Sequence, residues 1–156
     1  MQPIVRRITD DADLDLMTRW MYEWWGTAEG FTQEAVRACM ARSLQTERLP
    51  QTFGLYLQGE LIGMYQFTMS DLFVRPDVYP WLANVYIAPA HRGAGYGRIL
   101  LGSVRENAAA LGLPELFLFT AHQGLYERYG WAFIGMTDTH LTPRQQRLYR
   151  LRIAAE

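Results

Sequence analysis

The sequence predicts an α/β fold in which helices cover both faces of a mixed sheet. Two patterns lead to this prediction. The strand, helix and strand expected between Trp81 and Phe119 favour a parallel pair, because such a crossover joins parallel strands. The alternating segments before it, joined by the turn Gln58-Gly59-Glu60, favour antiparallel neighbours. The predicted order is β, α, α, β, β, β, α, β, α, β, β, within a single domain over residues 1–156.

The first predicted helix follows a β-branched strand at Ile4–Ile8 and ends at Gly26. Its apolar positions recur at helical spacing: Leu14, Met17, Met21 and Trp24. Thr32 is the predicted N-cap of a second helix, and Pro50 closes this helical pair.

Changes of period predict the remaining elements. Strands are expected over 52–57, 61–70, 81–87, 116–119, 131–136 and 147–153, and helices over 95–111 and 123–129. The run at 116–119 is apolar without interruption, which predicts a strand buried on both faces.

Composition excludes several classes of protein. The chain has 156 residues and a formal net charge of −1 at pH 7, which favours neither nucleic acid nor a membrane as partner. Its single cysteine, Cys39, excludes an intramolecular disulfide and a cysteine-based zinc site, and no metal is expected. No signal-peptide pattern or membrane-length apolar run occurs, so we expect a cytoplasmic protein.

A cluster of glycines follows the strand predicted at Trp81–Ile87. Gly93, Gly95 and Gly97 come directly after Arg92 and open the next predicted helix. Without a Cβ, glycine lets backbone N–H groups approach an anion closely, and the first turn of a helix adds unpaired donors and a positive dipole end. The stretch therefore predicts a phosphate site.

Two common phosphate motifs do not fit this stretch. A P-loop needs Lys and then Ser or Thr after its last glycine, where this chain has Arg98 and Ile99. A G-x-G-x-x-G dinucleotide fingerprint lacks its third glycine from either possible start. The pattern that remains is Arg92-x-x-Gly95-x-Gly97.

This pattern resembles the pyrophosphate motif of the GNAT acyl-CoA-dependent N-acetyltransferases, Q/R-x-x-G-x-G/A. In that family the motif joins the fourth strand to the third helix, and about thirty residues later a tyrosine precedes Gly-Phe or Gly-Trp. Here LYERYGW carries Tyr126, Gly130 and Trp131. The predicted element order also matches the family along essentially the whole chain. The resemblance implies a GNAT-like fold, a mostly antiparallel central sheet whose parallel strands 4 and 5 splay apart.

The resemblance implies acetyl-CoA as the acetyl donor, bound mainly by the backbone. The expected pyrophosphate-binding residues are Arg92, Gly93, Ala94, Gly95, Tyr96 and Gly97. The pantetheine arm is expected to pair with the fourth strand at Val85, Tyr86 and Ile87, where an N–H group also meets the thioester oxygen.

The same resemblance assigns Tyr126 to the thioester sulfur, as a cofactor-binding residue and as the acid that protonates the departing thiolate. A phenol with a pKa of ~10 is protonated at neutral pH and able to donate. The alternative is that Tyr126 is a buried packing aromatic. We expect that packing role of Tyr129, which adjoins Gly130 and Trp131.

The general base does not follow from the resemblance. Some family members carry a Glu on the fourth strand, but WLANVYI has no carboxylate. His122 is the first candidate, because it follows the fifth strand and precedes Tyr126 by four residues, one turn if a helix extends that far. The alternatives are a solvated His122 with Asp71, Glu23 or a chain of waters as base. His91, beside the glycines, either contributes to anion binding or faces water.

The implied acceptor is a primary amine of a small molecule or a peptide. The family shapes its acceptor site with the first two helices, which here carry many aromatic residues: Trp20, Tyr22, Trp24, Trp25 and Phe31. Such a set suits an amine on a partly apolar body, although two of these tryptophans also fit a core stripe. A catalytically degenerate acyl-CoA sensor or scaffold, and a phosphate-binding module unrelated to coenzyme A, are the alternative functions. A homodimer is left open.

Overall fold

The computed structural model describes residues 2–153. The strands are β1 (Ile4–Ile8), β2 (Gln51–Leu57), β3 (Glu60–Thr68), β4 (Trp81–Ile87), β5 (Glu115–Thr120), β6 (Ala132–Asp138) and β7 (Gln145–Arg152). The α-helices are α1 (Leu14–Met21), α2 (Gln33–Ala41), α3 (Tyr96–Gly102) and α4 (Val104–Ala110). One π-helical turn spans Tyr22–Gly26, and 3₁₀ turns span Pro89–His91 and Tyr126–Tyr129.

Within residues 2–153 the seven strands form one mixed sheet in the order β1-β2-β3-β4-β5-β7-β6. The pairs β1/β2, β5/β7 and β6/β7 are antiparallel. Strands β4 and β5 are parallel, with Trp81 paired to Phe117. The predicted mixed sheet and its parallel fourth and fifth strands are thereby confirmed.

The chain divides into two compact units. The first contains the residues up to Gln66 together with Asn84–Gly97, and the second contains Phe67–Ala83 and the residues from Arg98 onward. The single domain expected over 1–156 stays a prediction, and its end residues 1 and 154–156 lie outside the described part of the chain.

The core of the first unit contains one face of each of its helices. Apolar residues at helical spacing pack there with residues of β1, β2 and β3: Ile8, Leu14, Met17, Trp20, Met21, Val36, Met40, Tyr56, Leu61 and Met64. Helix α2 begins as predicted, because the Thr32 hydroxyl accepts the Ala35 N–H at 3.1 Å. Helix α1 has no such cap. The Asp13 carboxylate instead accepts a hydrogen bond from the Tyr56 hydroxyl at 2.8 Å.

Strands β2 and β3 form the predicted hairpin. Gln58 and Gly59 have φ angles of 52° and 82°, the left-handed pair that a two-residue turn needs. Almost every residue of the two strands is buried, on both faces of the sheet. Buried polar side chains such as Thr52 and Gln66 therefore need partners inside the protein.

The second unit differs from the sequence prediction in three places, one of which is the helix expected over 123–129, where only the 3₁₀ turn at Tyr126–Tyr129 forms. Residues of β5 alternate between buried and half-buried, so only one face of this strand is fully covered. The helix expected over 95–111 is interrupted at Ser103, whose hydroxyl donates to the Leu100 carbonyl at 2.7 Å and competes with helical hydrogen bonding. None of the described helices combines the length and the apolar character that crossing a membrane requires.

Candidate functional site

The loop between β4 and α3 presents several backbone donors without acceptors. The N–H groups of His91 and Arg92 close a turn on the carbonyls of Ala88 and Pro89. Among the described residues, the N–H groups of Gly93, Ala94 and Gly95 have no such partner. The first N–H groups of α3 are orphaned by helix geometry. Consecutive free donors of this kind form an anion-binding concavity.

The three glycines of the loop serve different purposes. Gly93 and Gly95 have φ angles of 80° and 87°, a backbone conformation that favours glycine at both positions whether or not a ligand binds. Gly97 lies in the helix with an ordinary φ, and a Cβ built there would meet no atom within 4 Å. No residue in the described part of the chain therefore requires a glycine at position 97. The open space in front of it is the space that a closely approaching ligand needs.

Arg92 connects the loop to β4. Its Nε donates to the Ile87 carbonyl at 2.7 Å, and its guanidinium lies 5.1 Å from the centre of the Tyr86 ring. The side chain is exposed, and its two Nη atoms form no hydrogen bond with the described residues. The guanidinium thus keeps donors free for an anion. A carbonyl oxygen has two lone pairs, so the Ile87 carbonyl keeps one for a ligand that pairs with β4.

Strand β4 changes character at Asn84. The residues before it are buried, and those from Asn84 onward are half-buried. Asn84 has a φ of 54°, a left-handed conformation that costs a non-glycine residue about 1–2 kcal/mol but that asparagine tolerates better than most. Its side-chain amide nitrogen, Nδ2, donates to the side-chain amide oxygen Oε1 of Gln66 at 2.7 Å. This bond offsets part of the strain.

The second half of β4 also lies close to β3. A Cβ on Gly63 would come within 2.9 Å of the Tyr86 carbonyl oxygen, so only glycine fits there without a shift. The Ala88 N–H donates to the Ile62 carbonyl at 2.8 Å. Backbone contacts with β3 therefore fix the segment from Val85 to Ala88.

Tyr126 is the buried first residue of its 3₁₀ turn, and 9% of its surface is exposed. Its ring packs edge-on against Trp131 and tilted against Tyr149, each with centroids 6.2 Å apart. Among the described residues no group hydrogen-bonds to its hydroxyl. Burial raises the pKa of this phenol to about 12, so it is a proton donor at any physiological pH.

Glu127 anchors the turn that carries Tyr126. Its carboxylate accepts the Gly124 N–H at 3.0 Å and the Tyr149 hydroxyl at 2.8 Å. The Tyr149 oxygen in turn accepts the Arg147 Nε at 2.8 Å. The hydroxyl of Tyr149 is therefore occupied, whereas the hydroxyl of Tyr126 is left for another partner.

The structure does not bring His122 and Tyr126 onto one helix. The 3₁₀ turn begins only at Tyr126, so the helical spacing expected between the two residues is absent. His122 is exposed, with its backbone N–H bonded to the Thr120 hydroxyl at 3.0 Å. Asp71 is half-buried and Glu23 is exposed. The Nδ1 atom of His91 is buried without a hydrogen-bond partner, so this nitrogen does not face water.

The aromatic residues of the first unit converge on Tyr86. Its ring centroid lies 5.1 Å from that of Trp20 and 5.6 Å from that of Trp24. Trp20 is buried, whereas Trp24 is 50% exposed and lies in the π-helical turn, a distortion often found at functional sites. Trp25 packs edge-on against Phe31. An exposed aromatic face thus lies beside the β4 segment.

Sequence reasoning missed the contribution of Gln66 and Asn84. Both are polar residues inside apolar strands, and asparagine is rare in strands but tolerant of left-handed backbone. A glutamine and an asparagine inside apolar strands were the sequence signals that could have pointed to this contact. Among the described residues there is no cluster of three or more His, Cys, Asp or Glu side chains arranged to hold a metal.

Comparison with known proteins gives the family. The model of the acetyltransferase (GNAT) family matches residues 14–131, three quarters of the chain. No curated protein matches the sequence significantly.

Solved structures share the fold at low sequence identity. An aminoglycoside 6'-N-acetyltransferase complexed with coenzyme A superimposes with a TM-score of 0.74 at 12% identity, covering 98% of each chain. An acetyltransferase of the GNAT family from Streptococcus pneumoniae has a TM-score of 0.72 at 18% identity, covering 98% of this chain and 100% of its own. The ribosomal-protein-S18-alanine N-acetyltransferase of Escherichia coli has a TM-score of 0.68 at 17% identity, covering 99% and 96%.

The raised pKa of Tyr126 predicts a loss of stability in alkali. The folded pKa of about 12 exceeds the ordinary value of 10.0, so this group costs nothing below pH 10 and destabilises progressively up to pH 12. At pH 11 we expect a loss of about 1.4 kcal/mol from this group. Urea unfolding at pH 9 and pH 11 measures it, and Tyr126→Phe should remove that part of the difference. Tyr56, whose pKa is also raised by burial and by Asp13, is present in both proteins and cancels.

Proposed function

The chain belongs to the GNAT acetyltransferase family, and we propose that it transfers an acetyl group from acetyl-CoA to a primary amine of a small molecule or a peptide by direct attack. The observation that carries this proposal is Gly97. It is a glycine that neither the backbone nor any neighbour requires, beside a row of unpaired N–H groups.

Acetyl-CoA binding is assigned to two segments of the first unit. The backbone of Gly93, Ala94, Gly95, Tyr96 and Gly97 would receive the pyrophosphate, and the free Nη atoms of Arg92 would add charge. Val85 and Tyr86 would pair with the pantetheine arm, and an N–H group there would donate to the thioester oxygen. Ile87, which we also expect in this role, keeps its N–H and one lone pair of its carbonyl for it, since the other lone pair accepts Arg92.

The transfer needs one proton donor and one proton acceptor. The neutral amine attacks the thioester carbonyl carbon, and a tetrahedral oxyanion forms that backbone N–H groups stabilise. Its collapse breaks the C–S bond, and the thiolate takes the proton of the Tyr126 hydroxyl; the base takes the proton of the attacking amine, and the phenolate regains a proton from solvent. The unoccupied hydroxyl supports Tyr126 in this role, and the raised pKa means that the phenol is still protonated when the sulfur departs.

The base remains the least constrained part of the proposal. We keep His122 as its candidate because it is exposed and an imidazole nitrogen can accept a proton. His122 and Tyr126 do not share a helix. A chain of waters that carries the amine proton to solvent is the alternative, since β4 holds no carboxylate.

The acceptor is proposed to be an amine on a partly apolar body. The exposed ring of Trp24 beside Tyr86 supports this class, because aromatic faces attract both apolar groups and ammonium cations. The fold neighbours act on an aminoglycoside and on the alanine of ribosomal protein S18. These two acceptors have opposite demands, since a polycation favours acidic side chains and a peptide favours an open groove.

Two measurements test the proposed function. Calorimetric titration with acetyl-CoA should give saturable binding, and a thiol-release assay against a panel of amines should detect turnover with at least one of them. Absence of binding would contradict the assignment of the cofactor. Binding without turnover on any amine would favour the acyl-CoA sensor, which the missing β4 carboxylate keeps open as a second function.

Gly97→Leu should separate ligand binding from folding. A leucine there meets no protein atom at its Cβ and improves helix propensity by about 1 kcal/mol, so we expect an unchanged or raised melting temperature. The side chain fills the space needed by the pyrophosphate, so acetyl-CoA affinity should fall at least ~10-fold. Calorimetry and thermal unfolding measure the two effects.

The matched control for this variant is Gly102→Ala, in the same helix and also without neighbours. It gains helix propensity and should leave the affinity for acetyl-CoA unchanged. Retained affinity in Gly97→Leu would contradict the phosphate-loop assignment.

Tyr126→Phe should lower turnover with little effect on binding. The phenol has no hydrogen-bond partner in the described chain, so phenylalanine should fold normally while the leaving thiolate loses its acid. We expect kcat to fall about 10- to 100-fold and the Kd for acetyl-CoA to change less than about 2-fold. Tyr129→Phe, in the same turn, is the control and should keep its kcat. An unchanged kcat in Tyr126→Phe would remove it from the acid role.

A further inference from the structure

A buried polar cluster lies next to the left-handed residue of β4. Its members are Ser43, Thr52 and Gln66, which are 1%, 0% and 4% exposed. The Gln66 amide nitrogen lies 3.0 Å from the Ser43 hydroxyl and 2.9 Å from the Thr52 hydroxyl. The two hydroxyls are 2.6 Å apart, so the three side chains form a closed ring of hydrogen bonds.

The ring fixes the direction of every hydrogen bond in it. The Ser43 hydroxyl donates to the Met40 carbonyl at 2.6 Å, so its single proton is committed. The proton between the two hydroxyls must then belong to Thr52, which donates to Ser43. Both hydroxyl oxygens accept from the Gln66 amide nitrogen, which also lies 3.7 Å from the Met40 sulfur, a weak acceptor. The amide of Gln66 is therefore locked, because a flip would turn its oxygen toward two hydroxyls whose protons are engaged.

The locked amide presents its oxygen to one partner only. That oxygen accepts the Asn84 amide nitrogen at 2.7 Å, the shortest of the bonds that Gln66 makes. Asn84 adopts a φ of 54°, and burial along β4 changes at this residue. The cluster thus reaches from the end of α2 through β2 and β3 to the point where the proposed cofactor segment begins.

We propose that Gln66 is a positioning residue of the acetyl-transfer site. It holds Asn84 in its left-handed conformation, and this conformation directs the backbone of Val85 and Tyr86 toward the pantetheine arm and the thioester oxygen. The inference rests on the proposed function, which assigns that backbone to acetyl-CoA.

A core role alone would not need this arrangement. An apolar residue of the same volume fills buried space equally well and leaves no polar atom to satisfy. The amide nitrogen of Gln66 instead donates to the two hydroxyls of the cluster, and its amide oxygen accepts from Asn84, a residue with a strained backbone. The effect of removing it should therefore reach the chemistry at β4 as well as stability.

The test compares Gln66→Met with Thr52→Val. Methionine keeps the volume and removes every hydrogen bond of the Gln66 side chain, including the one from Asn84. Valine removes one hydroxyl of the ring, and with it one acceptor of the Gln66 amide nitrogen, while the bond from Asn84 is kept. Both variants disturb the same buried cluster, but only the first releases Asn84.

The kinetic readout is the split between turnover and binding. In Gln66→Met we expect kcat to fall about 10- to 100-fold, because a displaced oxyanion donor weakens stabilisation of the transition state. The Kd for coenzyme A should change less than about 3-fold, since the pyrophosphate loop is untouched. Thr52→Val should keep kcat within about 3-fold of the parent. Equal losses of kcat in the two variants would overturn the inference.

Asn84→Gly tests whether Gln66 acts through Asn84, and it also serves if Gln66→Met does not fold. Glycine adopts the left-handed conformation without strain but has no amide to hold it. Asn84→Gly alone should lower kcat to a similar extent. The double variant should be no slower than the worse single variant, because both remove one interaction. Multiplicative losses would contradict action through Asn84.

A readout in the unliganded protein keeps this inference separate from the proposed function. The backbone chemical shifts of Asn84, Val85 and Tyr86 should change in Gln66→Met and stay in place in Thr52→Val. Unchanged shifts in Gln66→Met would overturn the inference even in an active enzyme. Changed shifts in a protein that neither binds acetyl-CoA nor releases thiol would overturn the proposed function and support the hold of Gln66 on Asn84.

Discussion

The left-handed backbone at Asn84 is the constraint on which the proposed cofactor strand depends. A non-glycine residue does not remain in that conformation inside a strand unless its surroundings over-determine it, since the strain is about 1–2 kcal/mol. The surroundings do so on several sides. Gln66 holds the Asn84 side chain, Gly63 lets the Tyr86 carbonyl approach β3, and Arg92 holds the Ile87 carbonyl. The segment is thus shaped before any ligand arrives, which is how a backbone donor becomes effective toward an oxyanion.

The loop after β4 shows how glycine meets two separate demands. At Gly93 and Gly95 the positive φ angles require glycine whether or not a ligand binds, so a substitution there tests folding as much as binding. At Gly97 the backbone is helical and the neighbourhood is empty. Compared with alanine, a glycine inside a helix lowers the stability of that helix by roughly 1 kcal/mol. Gly102 of the same helix carries the same cost, but only Gly97 adjoins the unpaired N–H groups of the loop, where an approaching ligand would need the space.

The sequence predicted the features that depend on short stretches of chain. The bounds of β4 at Trp81–Ile87, the Thr32 cap and the Gln58-Gly59 turn all rest on neighbouring residues, and the structure has each of them. The break at Ser103 and the alternation of β5 were missed, because a hydroxyl that bonds its own helix and a strand covered on one face leave little trace in the hydrophobic pattern. The bond from Asn84 to Gln66 joins residues 18 positions apart. Pairings of that kind follow from tertiary packing, which periodicity does not encode.

The structure defines a candidate for the acid more closely than a candidate for the base, because the two proton transfers have different geometric requirements. The acid must donate its proton to one atom, the thioester sulfur, so it needs a fixed position. A buried phenol on an anchored turn meets this requirement. Glu127 fixes that turn through Gly124 and Tyr149. The base only has to remove a proton from an amine whose position varies with the acceptor, and water can relay it. With the Tyr126 pKa raised to about 12, the acid stays protonated throughout the neutral range. A pH dependence of transfer near neutrality would therefore arise where the amine proton is removed and not at Tyr126.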